Sequence, residues 1–284
     1  MKTLLTLWVA TAIGLSAQAH ALDLTSAQGR ADALVKMRCT TSPAEEALLW
    51  WEGTLFAQEP GKKAEPLMRF EGYNICRPEV LADGTVRLLT RELTFYRDLA
   101  TGRIIDHWDN PISGRRNTVV HVANDPVNTV IHGPGRELPL PFFEAGDQLM
   151  LTLNVPLAYP NPLQPGEYPA ESSGPMYIGS EHFMFFAPLD AMRDPALTQV
   201  PVTYGWTRVG PWLPWMELGQ REGTLLYVGQ GNKRASVAEL PEDIRQRIAR
   251  DYPEYAHAPT VWVQPNATSW TEYKRLKSQA SSTQ

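Results

Sequence analysis

Cysteine is scarce in this 284-residue chain, which has only Cys39 and Cys76 and no CxxC pair. The two cysteines therefore fit no metal motif. Basic residues occur singly or in pairs and the formal net charge is −5. Without a basic footprint, nucleic acid is excluded as a partner. Walker and G-x-S-x-G motifs are missing, and Gly229-Gln230-Gly231 opens no helical pattern. This argues against nucleotide-dependent chemistry and against an α/β-hydrolase. HExxH is absent too; no cofactor is expected, and a metal is left open only by scattered histidines and carboxylates.

Long apolar runs are lacking everywhere except at the start. Met1-Lys2, an apolar run over 4–15 and Ala19-His20-Ala21 form a positive n-region, an h-region too short for a membrane helix, and a cleavage site. Residues 1–21 are expected to be a signal peptide, cut after Ala21 or Ala19. The mature chain is expected to be periplasmic or secreted, with no transmembrane segment and with an oligomeric state that the sequence does not set. In that oxidising setting Cys39 and Cys76 form either one disulfide or two buried thiols, and spacing leaves both open.

What the chain has in quantity is proline and aromatics: 24 Pro, 9 Trp, 10 Tyr and 8 Phe. Ser26 is placed to cap a short helix carrying Leu34, Val35 and Met37. Beyond it, short apolar segments separated by Gly, Pro, Asn and Asp predict strands over 48–56, 67–76, 86–96, 103–109, 117–122 and 127–132, joined by short turns. Further strands are expected at 148–155, 176–187, 200–209 and 223–229. The proline-rich stretch 133–174 reads as a loop, either an ordered wrap or a lid. Helices are expected over 240–251 and from Ser269, where Glu272 suggests a capping box, followed by a disordered tail. The expected fold is mainly β, an antiparallel meander curled into a calycin-like barrel or strongly bent sheet with short peripheral helices. Residues 22–265 form the single domain, and 266–284 the C-terminal helix and tail.

Reactive side chains concentrate in DHWDNPISGRRNTVVHVANDPVN, residues 106–128. Strand alternation gives His107 and Asp109 one face and Trp108 the other. With a two-residue turn at Asn124-Asp125, His121 either looks outward or joins His107 in a polar interior, since a one-residue slip exchanges the faces. Acid/base chemistry would use His107 or Asp109, with His121 alongside and Arg115, Arg208 or Asn124 holding an anion. Asp109-Asn110-Pro111 and Asn124-Asp125-Pro126 also fit plain turns. A metal would need Glu181 and His182 to converge with His107, Asp109 and His121, although adjacent strand residues face opposite ways.

In GWTRVGPWLPWMELG, residues 205–219, alternation sets Tyr204, Trp206 and Arg208 on one face. Trp212 and Trp215 follow between prolines, either as an end plug or as an aromatic wall with one cation for a flat or isoprenoid-like molecule bearing a carboxylate or oxygen. Glu71, Asn74, Arg91, Trp108, Asn124 and Glu181 complete the expected ligand-binding set. The expected partner is a small, largely apolar or aromatic molecule, and the alternative is a cofactor-independent lyase, isomerase or hydrolase.

The order WWEGTL, FEGYN, LLTREL, WDNP, HVANDPVN, WTRVGPWLPWMELG and LPEDI, running from about Leu34 to Val261, resembles exported bacterial proteins of domain-of-unknown-function family eighteen thirty-eight. The resemblance implies export but no activity. Ile112-Ser113 stands where an aromatic and Thr are expected, and Lys2 where twin arginines are common.

Overall fold

A computed structural model describes residues 22–282; the expected leader and the last two residues lie outside it. Helix α1 (Ala27–Arg38) comes first, followed by three long strands, β1 (Ala47–Gln58), β2 (Glu65–Val80) and β3 (Val86–Arg97). The short strands β4 (His107–Asp109), β5 (Arg116–Thr118), β6 (Val122–Asn124), β7 (Thr129–Gly133), β8 (Arg136–Glu137) and β9 (Phe142–Ala145) follow. The second half holds β10 (Gln148–Pro160), β11 (Met176–Pro188), α2 (Leu189–Arg193), β12 (Thr203–Gly210), β13 (Thr224–Arg234), α3 (Glu242–Asp251) and α4 (Ser269–Ser282).

Two antiparallel meanders make one sheet. Strands β1 to β3 form the first, β9 to β13 the second, and β1 pairs with β13 to join them, giving the order β8-β7-β3-β2-β1-β13-β12-β11-β10-β9. The expected mainly β, antiparallel architecture is present. Its hydrogen-bonded path is open, however, and among the described residues no pairing closes it into a barrel. The two end strands, β8 and β9, are consecutive in the chain and separated by LPLP at 138–141. Prolines there lack the N–H that a closing ladder would need.

The expected hairpin around Asn124-Asp125 does not form. Strands β6 and β7 both run along β3, with Glu92 opposite Asn124 and Arg87 opposite Val130, and β4 pairs with β5 in a separate ribbon.

Inward and outward faces alternate along the long strands, as strand geometry requires. On the outward face Leu48, Trp50, Tyr73, Ile75, Leu93 and Phe95 pack under Ile244 and Ile248 of α3. On the inward face one cluster gathers around α1 and α2. A second gathers around Trp212, Trp215 and Met216, joined by Trp270 and Tyr273 of α4. Between these two apolar ends lies the middle of the inward face.

Glycines make room there for rings. Trp51 stands in register with Gly72 on one side and Gly231 on the other, and Trp206 with Gly229. A Cβ on Gly231 would lie 2.5 Å from Tyr204 Cζ and 2.1 Å from Trp50 O. Glycine in these strand interiors is the cost of laying large rings flat against the sheet.

Helix ends match the reading at α1, where Ser26 Oγ accepts the Gly29 N–H at 3.0 Å. At α4 the cap moves one residue: Thr268 Oγ1 accepts the Thr271 N–H at 3.1 Å. Glu272 instead turns to Arg275. Most of the tail expected to be disordered is helical, with α4 running through Ser282. Cys39 and Cys76 are bonded, with Cα atoms 5.9 Å apart, which ties the end of α1 to β2.

Candidate functional site

A cavity of about 350 Å³ opens in the middle of the inward face, lined from both halves of the sheet. Leu49 and Trp51 come from β1, Asn74 from β2, Glu92 from β3 and Asn124 from β6. Across from them stand Val155, Leu157 and Tyr159 of β10, Glu181 and Phe183 of β11, and Tyr204, Trp206 and Arg208 of β12. Arg38 enters from the end of α1, and residues 267–270 close over the cavity at the start of α4. Six expected site residues, Asn74, Asn124, Glu181, Tyr204, Trp206 and Arg208, are thus brought together.

Trp206 is the hub of an aromatic wall. Its ring centroid lies 5.5 Å from Phe70, 5.6 Å from Tyr227, 6.2 Å from Trp51 and 6.3 Å from Phe183. The indole Nε1 atoms of Trp51, Trp206 and Trp270 have no hydrogen-bond partner, and neither does Asn124 Oδ1. Buried polar atoms are normally satisfied, so this wall presents donors and an acceptor as well as apolar surface.

Arg208 is held rather than free. Its Nη2 donates to Tyr177 Oη at 2.5 Å, Nε lies 3.6 Å from Glu181 Oε1, and the guanidinium sits over the Tyr227 ring at 5.6 Å. Burial works against its charge, but Tyr177, Glu181 and Tyr227 outweigh that and hold its pKa well above the usual arginine value.

Glu92 is a cavity carboxyl group set for proton transfer near neutrality. Burial, reinforced by the charge on Glu181, pushes its pKa up to about 7, while Arg208 and the Asn124 amide oppose the rise. Glu92 is not among the expected site residues, although its neighbour Arg91 is. The alternation Leu88, Thr90, Glu92, Thr94, Tyr96 carries the signal, because Tyr96 is fully buried among the inward rings.

The remaining expected site residues lie elsewhere. His107 and Asp109 are exposed on the β4–β5 ribbon, where Asp109 meets Arg116 at 3.3 Å. His121 is buried outside the cavity; its Nδ1 accepts the Tyr96 N–H at 3.2 Å. Burial, then the nearby Arg247, lowers its pKa to about 4, against the opposing pull of Asp106 and Asp251. It is a neutral structural imidazole near pH 7. His182 points to the face opposite Glu181, so the imagined metal set does not converge. Among the described residues no cluster of three His, Cys, Asp or Glu forms.

Glu71 lies on the outward face, accepting from Trp50 Nε1 at 2.8 Å and paired with Arg97 at 2.8 Å. Arg91 also faces outward, to Asp125 at 3.2 Å. Trp212 and Trp215 are plug rather than wall, both almost fully buried. Trp108 packs edge-on against Trp215 at 5.8 Å.

The conspicuous motifs brace this arrangement. Asn110 Oδ1 accepts the Ile112 N–H at 2.9 Å, while its Nδ2 donates to Met216 O at 3.1 Å and to Asn117 Oδ1 at 3.2 Å. The WDNP turn therefore holds the tryptophan plug. In HVANDPVN, Asn128 and Asn266 exchange two bonds, at 2.9 and 2.8 Å, which seats the start of α4 over the cavity.

Residues 44–277 match the family model described as Protein of unknown function (DUF1838). The chain belongs to this family. No curated protein matches it. The DUF1838 match spans Glu92, the aromatic wall and both bracing motifs, and it begins after α1, so Arg38 lies outside it. No helix among the described residues is long and apolar enough to cross a membrane.

Proposed function

We propose that the protein is exported and holds a small, largely apolar or aromatic molecule in the cavity, with the two halves of the sheet acting as the walls of an incomplete barrel. The observation that carries this reading is the aromatic wall around Trp206 with its unpartnered indole N–H groups. Ligand pockets combine such apolar lining with a few placed polar groups. The leader-like N-terminus and the Cys39–Cys76 bond favour a periplasmic or extracellular site of action.

A second reading, a cofactor-independent lyase, isomerase or hydrolase, is favoured by Glu92. A carboxyl group with a pKa of about 7 exchanges protons efficiently near neutral pH. In this reading Glu92 takes the acid/base role expected of His107 or Asp109, and Arg208 steadies developing negative charge.

The test is a fluorescence titration with the neutral dye N-phenyl-1-naphthylamine, comparing the wild type with Leu157→Trp, which adds bulk inside the cavity. The wild type should bind one equivalent, and the variant should bind about tenfold more weakly or not at all, a loss of ~1.4 kcal/mol or more. Equal binding by both would place the dye elsewhere and contradict the proposal.

A further inference from the structure

Arg38 differs from the other cation in the cavity. Arg208 has Tyr177 and Glu181. Arg38 forms no ion pair or side-chain hydrogen bond among the described residues, and its Nε is buried without a partner. It nevertheless lines the same cavity. Burial pulls its pKa down, with Tyr204 and Glu181 only partly opposing, yet a guanidinium remains charged.

The fold holds this cation in place. Arg38 is the last residue of α1, and the next residue, Cys39, is bonded to Cys76 of β2. A half-buried charge with no carboxylate in contact is unfavourable, and neither nearby carboxylate forms an ion pair with Arg38. Glu181 faces Arg208 across the β11–β12 pair, and Glu92 stands beside Asn124 on β6.

We infer that the cavity's ligand is an organic monoanion, a carboxylic acid on an apolar or aromatic body, with its acid group on the Arg38 guanidinium and its body against Trp51, Phe183 and Trp206. This rests on reading the cavity as a ligand site. Glu92 and Glu181 disfavour a second negative charge on the ligand, and protonated Glu92 can donate a hydrogen bond to a ligand oxygen. Arg38 would supply the anion contact that sequence patterning assigned to Arg208, whose guanidinium is already engaged.

Two dyes with the same aromatic body separate the charge from the body: 8-anilinonaphthalene-1-sulfonate and neutral N-phenyl-1-naphthylamine, the sulfonate standing in for a carboxylate. The wild type should bind the sulfonate about ten- to a hundredfold more tightly than the neutral dye, the range of one charge-assisted contact. Arg38→Met should abolish that preference, so that both dyes bind with similar affinity, and keep or raise the melting temperature of the unliganded protein. Neutral-dye binding with no sulfonate preference, or a preference that survives in Arg38→Met, would overturn the inference and leave the cavity reading intact. A lowered melting temperature in Arg38→Met would make Arg38 a structural residue and likewise overturn it. Failure of the wild type to bind either dye would remove the cavity reading and this inference together.

Discussion

Glu92→Gln is expected to gain stability over the wild type as pH rises from about 4.5 to about 8, by roughly 3 kcal/mol across the range, at about 1.36 kcal/mol per pH unit. The sign follows from proton counting. Glu92 titrates near 7 in the folded chain against 4.5 for a free glutamate. Between those values the folded state holds a proton that the unfolded state has released, so stability present below 4.5 is lost as pH climbs through 7. The neutral amide of Gln has no such proton to lose. His121 acts in the opposite sense. Its pKa falls from 6.5 to about 4, so its contribution is present above 6.5 and is lost as pH falls through 4. The two groups nearly cancel in the wild type between pH 4.5 and 6.5, and Glu92→Gln uncovers the rise due to His121. Urea unfolding across this range measures the difference. Parallel profiles for variant and wild type would show that Glu92 is not a proton-holding group in the cavity.

Arg97→Ala is expected to cost about 3 to 5 kcal/mol near pH 8, the range for removing one partner of a buried ion pair. Arg97 and Glu71 are 8% and 6% exposed, so neither charge is relieved by water. Arg97 also grips Asp243 of α3 at 2.5 Å, so the substitution loosens α3 from the outward face as well. Burial already pushes the Glu71 pKa up, with Arg97 working against the rise. Without Arg97 the Glu71 carboxyl should take up a proton more readily, making the loss smaller near pH 5 than near pH 8. Adding Glu71→Gln to Arg97→Ala should recover part of the stability. An equal loss at both pH values, with no recovery in the double variant, would contradict the assignment of Glu71 to a structural ion pair.

The long strands were legible because β1, β2, β10 and β11 carry alternation and aromatic content over many residues. Inward faces followed from the same period, which on β12 placed Tyr204, Trp206 and Arg208 together. The short strands were misread where local turn chemistry competed with tertiary pairing. Asn124-Asp125-Pro126 looks like a hairpin turn, yet β6 and β7 find a better partner in β3 than in each other. The DHWDNP cluster drew attention as chemistry because ionisable residues are dense there. Its Asn110 serves the turn and the plug, and His107 and Asp109 face solvent. Glu92 and Arg38 were missed for a different reason: each becomes informative only when strands and a helix distant in sequence enclose the same space. No local spacing signals that Arg38 lacks a counter-ion.

A small molecule held in the middle of the inward face would be seen by native mass spectrometry of the protein purified without added ligand, set against its denatured mass. The expected result is an additional small-molecule mass that is released on denaturation and is absent from Leu157→Trp. A bare protein mass for the wild type, or the same adduct on both proteins, would contradict it.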